Sequence, residues 1–393
     1  MNTAARGWAV GLAGYCTFIN LYSPQALLPL LGEEFHAGPA EISAIMTAGT
    51  LSVALIAPFT GTVSDVLGRK RVIVAAMLTI VLPMVMQALA PTLDALIFWR
   101  FVQGLALPPI FAVTIAYIGE EWPPTETAAA AGMYTSGASL GGLSGRFVTG
   151  VLTDLAGWRT TFMVLAALTL VGAALVALML PHERNFVRSD GFAASARQML
   201  RHFRNPQLLA TYAVGFGTLF NFIATFTFSS FVLAAPPYNF SPTGLGAIFL
   251  VYLVGTVLAP LAGRAISRYG RRLLAIGIFV VWAIGILVTL AAPVAMIIAG
   301  LAICAGAGLM MQAISTGYVA ISAERGASSA VGLYVSFFYV GGSIGAALGG
   351  VAWIVGGWPA CVAMVLVMLA IMAAVVWMVW TPGRQVAPTR ATS

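Results

Sequence analysis

Two arginines stand where a cation is expensive to place. Arg100 and Arg146 fall inside apolar runs long enough to cross a membrane, whereas none of the twelve acidic residues lies in the middle of such a run. An Arg at membrane depth costs at least about 2.5 kcal/mol on insertion scales, so each should face water, a carboxylate or a bound anion. Buried cations without buried acids favour an anionic or zwitterionic substrate group, which a planar guanidinium can hold through two parallel hydrogen bonds. Gln103 follows Arg100 by three residues and so shares its helical face. Asn20, Gln25, Asn221, Gln312 and Tyr339 are further polar residues in apolar runs, and the whole set is expected to line a central cavity. Helix-to-helix bonding is the alternative for Asn20, Gln25 and Arg100. For Arg146 the alternative is Asp154, eight residues on and about 80° around the helix.

Other chemistries find little footing. His36, His182 and His202 all lie outside the apolar runs, and Cys16, Cys304 and Cys361 show no CxxC spacing. A membrane protease or acyltransferase is therefore not expected, and neither a metal nor a cofactor is implied.

The elements that must position these side chains are membrane helices. The chain is 60% hydrophobic and only 8% charged, against about 25% charged residues in a soluble domain. Each crossing needs about 20 apolar residues. Residues 7–32, 42–64, 72–93, 101–119, 127–145 and 160–181 each allow one span, the fourth and fifth extended by Arg100 and Arg146, while 205–263, 273–323 and 326–383 each allow two, giving twelve. With the N-terminus in the cytoplasm, 16 of the 19 Lys and Arg residues fall on the cytoplasmic side. Both termini are then cytoplasmic and the membrane is the inner one. The net charge of +7 reads as topology and contact with anionic lipid rather than nucleic-acid binding. Prolines 24 and 29 should kink the first span. Residues 192–204 alternate apolar and basic positions as a helix lying on the membrane surface would.

The densest charge between two apolar runs is the hinge Gly61-x-x-x-Asp65-x-x-Gly68-Arg69-Lys70. Its glycines permit a tight turn, and Asp65 is expected to contact Arg69. The pattern returns 202 residues later as Gly263, Ser267, Gly270, Arg271 and Arg272. A second repeat, offset by 200, pairs Gly132, Tyr134, Ser136, Gly141, Gly142, Gly145, Gly150 and Trp158 with Gly332, Tyr334, Ser336, Gly341, Gly342, Gly345, Gly350 and Trp358. Arg146 breaks that repeat, since its counterpart is Ala346.

The doubled hinge resembles the loop motif of the major facilitator superfamily. Arg100-x-x-Gln103-Gly104 is similar to the R-x-x-Q-G motif of that superfamily's fourth helix. The ladder from Gly132 to Gly150 resembles the fifth-helix motif of its drug/proton antiporter branch, with Gly142 standing where that branch has Pro. The resemblance implies an all-α polytopic membrane protein: twelve transmembrane helices in two six-helix bundles related by an internal repeat, over residues 1–180 and 207–393, joined by a linker at 181–206. It further implies a secondary transporter, working as a monomer, that moves a small organic solute by rocking the bundles about a midplane site. Efflux of drugs or metabolites, with protons as candidate coupling ion, is the first reading; uptake of an organic anion or vitamin-like solute is the alternative, and a non-transporting receptor the remote one. Gly61, Asp65, Gly68, Arg69, Lys70, Gly263, Gly270 and Arg271 are the implied gating residues.

Overall fold

The computed structural model describes residues 3–183, 199–323 and 327–381, and among these there is helix but no strand. Twelve helical spans follow one another: α1 (Thr3–Tyr22), α2 (Pro39–Phe59), α3 (Arg69–Ala88), α4 (Leu93–Glu121), α5 (Pro124–Ala156), α6 (Trp158–Met179), α7 (Pro206–Ala234), α8 (Pro242–Tyr269), α9 (Arg271–Val288), α10 (Val294–Ser322), α11 (327–355) and α12 (358–379). The last two run on until Gly356 and Gly357, whose backbone is not helical. The surface helix expected over 192–204 lies mostly outside the described residues.

Proline and glycine punctuate the spans at corresponding places in both halves. Pro58 and Pro260 each sit in a short 3-10 turn, Ala57–Phe59 and Ala259–Leu261, where a missing N–H breaks the α-helical ladder. One helical segment later each half reaches its hinge glycine: Gly68 at φ 92° and ψ 146°, Gly270 at φ 76° and ψ 151°. That region of backbone space is essentially reserved for glycine, so the hinge motif reflects a steric demand. The end of the molecule carrying Gly68 and Gly270 is called the hinge side below, and the opposite end the far side.

Within each half the glycine ladder joins two helices. A Cβ on Gly137, Gly141 or Gly145 of α5 would lie under 3.0 Å from backbone atoms of Gly11, Tyr15 or Ile19 of α1. The same holds for Gly341 and Gly345 against Phe216 and Phe220 of α7. Steps of four residues keep the glycines on one face, and backbone-to-backbone approach supplies the van der Waals contact that lipid cannot provide through hydrophobic exclusion.

The halves meet along α2 with α11 and along α5 with the start of α8. At the far side Gly150 abuts the backbone of Pro242 and Thr243, Gly246 that of Arg146 and Phe147, and Gly350 that of Ala40. Toward the hinge side α8 leaves α5: Gly255 packs on Ala305 and Leu309 of α10 instead. The bundles are therefore sealed at the far side and part at the hinge side between α5 and α8.

Gly270→Ala isolates the hinge strain, because a Cβ there meets no neighbouring atom. It should destabilise the purified protein by about 1–3 kcal/mol, seen as a lower midpoint of thermal unfolding. Gly277→Ala, equally open but in regular helix, should leave the midpoint unchanged or raise it. An unaltered midpoint for Gly270→Ala would remove the strain argument.

Candidate functional site

The centre of the site follows from the proline in the first span. α1 stops at Tyr22, and the chain continues through a 3-10 turn, Gln25–Leu27, into a further helix, Leu28–Glu34. Pro24 has no N–H to offer the carbonyl of Asn20, and the tighter turn frees the carbonyl of Leu21. Arg100 of α4 fills both vacancies: Nη1 donates to the Asn20 carbonyl at 2.8 Å and Nη2 donates to that of Leu21. Nη1 also donates to Oε1 of Gln103. Gly49 of α2 makes the room, since a Cβ there would stand 2.9 Å from the Arg100 Nε.

Asn20 and Gln103 belong to the same network. Asn20 Nδ2 donates to Thr169 of α6 at 2.9 Å, and Gln103 Oε1 accepts from Gln87 of α3 at 3.1 Å. Asn20, Arg100 and Gln103 are thus brought together, but inside the first bundle. The expectation that they share a cavity with Gln25 is not what the geometry shows, because Gln25 turns the other way, to Arg146. The division follows the faces of α1: Asn20 turns into the bundle, whereas Tyr22, before the break, and Gln25, after it, both face Arg146.

Arg146 is enclosed by residues of both halves, an enclosure called the chamber below. Its Nε donates to Gln25 Oε1 at 2.8 Å and its Nη1 to the Gly142 carbonyl at 2.7 Å. The guanidinium carbon lies 3.9 Å from the ring centre of Tyr22, 4.7 Å from that of Phe249 and 4.9 Å from that of Tyr252. Three aromatic faces hold the cation without neutralising it. No carboxylate pairs with it among the described residues, and Nη2 donates no hydrogen bond there. Gly142, in place of a proline, leaves space beside Tyr22 and Arg146.

Around this chamber the halves touch through side chains. The Gln25 amide donates to Thr227 of α7 at 3.4 Å. Tyr339 of α11 stacks its ring on Phe111 of α4 at 6.3 Å, and Phe111 in turn lies 6.2 Å from Phe18 of α1. Phe111 and Phe249 were invisible as site residues in the sequence, where they read as ordinary apolar positions. Tyr22 and Tyr252 carry a hydroxyl on otherwise apolar spans, the one sequence signal that could have found them.

Asp154 does not reach Arg146. Its carboxylate accepts from the Ser241 hydroxyl and the Thr243 amide, both at 2.9 Å, and so caps the N-terminus of α8 from the other bundle. Ser343 of α11 adds a second link, donating to the Thr47 carbonyl of α2 at 3.2 Å. Close by on the far-side surface, Arg159 bonds Glu34 at 2.7 Å and holds its carboxyl below the usual carboxylate range.

The remaining expected residues are dispersed. Asn221 of α7 points within its own bundle to Met372, at 3.6 Å from the sulfur, and its Oδ1 is unpartnered. Gln312 is half-buried on α10, and its side chain forms no hydrogen bond among the described residues. At the first hinge Arg69 pairs with Glu120 at 2.6 Å and donates to Ser64, while the side chain of Asp65 lies outside the described residues. Gly68 leaves room for the carboxylate of Glu183, which accepts from the Lys70 amide at 3.4 Å. Gly61, like Asp65, is described only in its backbone; Gly263 faces open space. Arg271 stacks over Tyr318 at 4.1 Å.

The family described as the Major Facilitator Superfamily matches residues 10–234 and 214–393. The chain is 32% identical over 368 residues to the inner membrane transport protein YnfM of Escherichia coli (strain K12), covering 91% of this chain and 86% of that protein. It is 30% identical over 361 residues to the uncharacterised MFS-type transporter YybF of Bacillus subtilis (strain 168), covering 91% and 89%. Among solved structures it resembles a bacterial homologue of the human lysosomal transporter Spinster in an inward-facing, unoccupied conformation. The TM-score there is 0.74 at 17% identity, over 98% of this chain and all of that one. The nucleoside transporter NupG gives 0.71 at 15% identity, over 95% of this chain and all of NupG.

Arg100→Leu should lower thermal stability, since the Leu21 carbonyl would lose its buried donor at about 1–3 kcal/mol and the Asn20 carbonyl would keep only the Ser23 hydroxyl. Comparable melting of the variant and the parent in detergent would show that water satisfies those carbonyls instead. Asp154→Ala removes a helix cap of about 0.5–2 kcal/mol that exists only while the far side is shut. A cysteine at position 47, in a background lacking Cys16, Cys304 and Cys361, should then be labelled faster from the far side; unchanged labelling would deny the cap a role in closure.

Proposed function

The chain belongs to the major facilitator superfamily and is a multi-pass membrane transporter, not an enzyme; on that premise we propose that it exports a small anionic or zwitterionic organic solute. The observation that carries this reading is Arg146: a buried cation between the two bundles, walled by aromatic rings, with no carboxylate partner among the described residues. A carboxylate or phosphate arriving at Nη2 would gain a charge-assisted hydrogen bond. The rings of Tyr22, Tyr252 and Tyr339 would offer apolar faces and hydroxyls to the rest of the solute.

Arg100 drops out of the binding set in this reading, because its two terminal nitrogens are taken up by the carbonyls of Asn20 and Leu21 and by Gln103. Gln25 and Tyr339 stay in it as direct neighbours of the chamber. Asn20, Gln103 and Asn221 hold their bundles together. Gating is shared between the far-side links from Asp154 and Ser343 and the hinges, where Arg69 and its partner Glu120 stiffen the turn between α2 and α3.

The separation of α5 from α8 toward the hinge side supports alternating access about the chamber. If the hinge side is cytoplasmic, as the distribution of cations suggests, the solute enters from within and leaves when the far-side links part. The membrane potential, negative inside, assists an anion outward by about 2.3 kcal/mol per charge per 100 mV, so export of this kind does not demand a mid-span carboxylate to carry protons.

Solute accumulation in cells with and without the protein, across a panel of organic anions, cations and neutral compounds, should reveal lowered retention confined to the anions. Arg146→Lys should keep part of that activity, and Arg146→Ala should lose at least about tenfold, the effect of roughly 1.4 kcal/mol. Normal export of every solute by Arg146→Ala would refute the assignment. Raised accumulation in the presence of the parent protein would instead make it an importer.

A further inference from the structure

A second opening is lined by helices of the second half alone. α8 and α9 are joined at Gly270 and diverge from it, and α10 forms the floor between them. The resulting crevice has a volume of about 790 Å³ and is bordered by Val254 and Leu258 of α8, Leu273 and Val281 of α9, and Gly306 and Met310 of α10. Val254, Leu258, Leu273 and Val281 are exposed, as lipid-facing side chains are. Gly277 keeps the crevice open, because a Cβ there would meet nothing within 4 Å.

The hinge end of this apolar trough is cationic. Arg268 borders it directly, Arg264 lies one turn earlier on the same face of the helix, and Arg271 and Arg272 begin α9. No Asp or Glu occurs between Asp190 and Glu324. None of the four arginines forms an ion pair among the described residues, and the Nε atoms of Arg271 and Arg272 are buried without a hydrogen-bond partner. The first hinge is different: Arg69 has Glu120. An acyl-chain-sized apolar trough ending at guanidinium groups that have no ion pair among the described residues matches one kind of molecule in both of its parts.

We propose that the crevice between α8, α9 and α10 is a site for one anionic phospholipid of the hinge-side leaflet, its acyl chain along the trough and its phosphate on Arg268. The volume falls within the range of about 300–1,000 Å³ typical of formed ligand sites. Guanidinium groups bind phosphate oxygens in a forked geometry. A lipid there would wedge α8 against α9 and so bear on the hinge through which α8 moves.

Native mass spectrometry of the detergent-purified protein, incubated with phosphatidylglycerol or phosphatidylcholine, tests this. One phosphatidylglycerol should be retained about fivefold more strongly than phosphatidylcholine, the contribution of one cation beside anionic lipid. Arg268→Gln should abolish the preference, Arg268→Lys should keep most of it, and Arg201→Gln, a hinge-side cation away from the crevice, should leave it unchanged. Gly277→Phe should fill the trough and displace the retained lipid whatever its headgroup. Equal retention of both lipids by the parent protein, or a bound lipid that survives Gly277→Phe, would overturn the proposal. Displacement of the lipid by inorganic phosphate alone would show that the arginines bind a free anion and would overturn it too.

Discussion

Inside a bilayer a backbone carbonyl cannot turn to water, so a helix may be broken only where something else satisfies the freed groups. The first span of this protein is broken at Pro24, and the partner is Arg100, reaching from α4 to the carbonyls of Asn20 and Leu21. Everything at the centre depends on that repair. Just beyond the break Gln25 reaches Arg146 and Thr227, while Asn20 just before it stays within its own bundle. The cation that holds the break has both terminal nitrogens taken up in doing so.

Duplication supplies the scaffold and departures from it supply the site. The Pro58 and Pro260 turns, the Gly68 and Gly270 hinges, and the ladders ending at Gly145 and Gly345 recur because the same steric problems recur in each half. Even the packing of Asn20 on Thr169 has its echo in Asn221 on Met372. At Arg146 the symmetry fails: Ala346 is wholly buried in the second half, whereas the first half places a guanidinium among three aromatic rings drawn from both halves. An alternating-access site must be contacted from both bundles, and the groups around Arg146 come from both.

Charge is divided as unevenly as shape. The first half carries its acids at helix ends, where Glu120 steadies Arg69 and Asp154 caps α8 across the far-side seam. The described part of the second half has cations and no acid at all. Its hinge arginines Arg271 and Arg272 lie over the rings of Tyr318 and Trp377 instead, and the apolar trough begins beside Arg268.

Much was determined by the sequence alone. Twelve spans, their duplication, the hinge glycines and the membrane-transporter family are all local or periodic properties: apolar length, glycine and proline punctuation, and the 200-residue and 202-residue offsets are written along the chain. The exceptional standing of Arg146 was legible too, because the repeat displays what the position needs when it serves packing alone. What the sequence could not decide was which polar residues face which neighbour. Arg100 and Arg146 look alike as cations at similar depth, and only the tertiary structure separates them: one is surrounded by backbone carbonyls of its own bundle, the other by aromatic rings and Gln25 at the seam. Asp154 looked like a partner for Arg146 on the same helix, yet it bonds the start of α8. Helical periodicity assigns a side chain to a face of its own helix, but which element lies opposite that face is set by how the bundles pack, and that packing is a property of the whole chain.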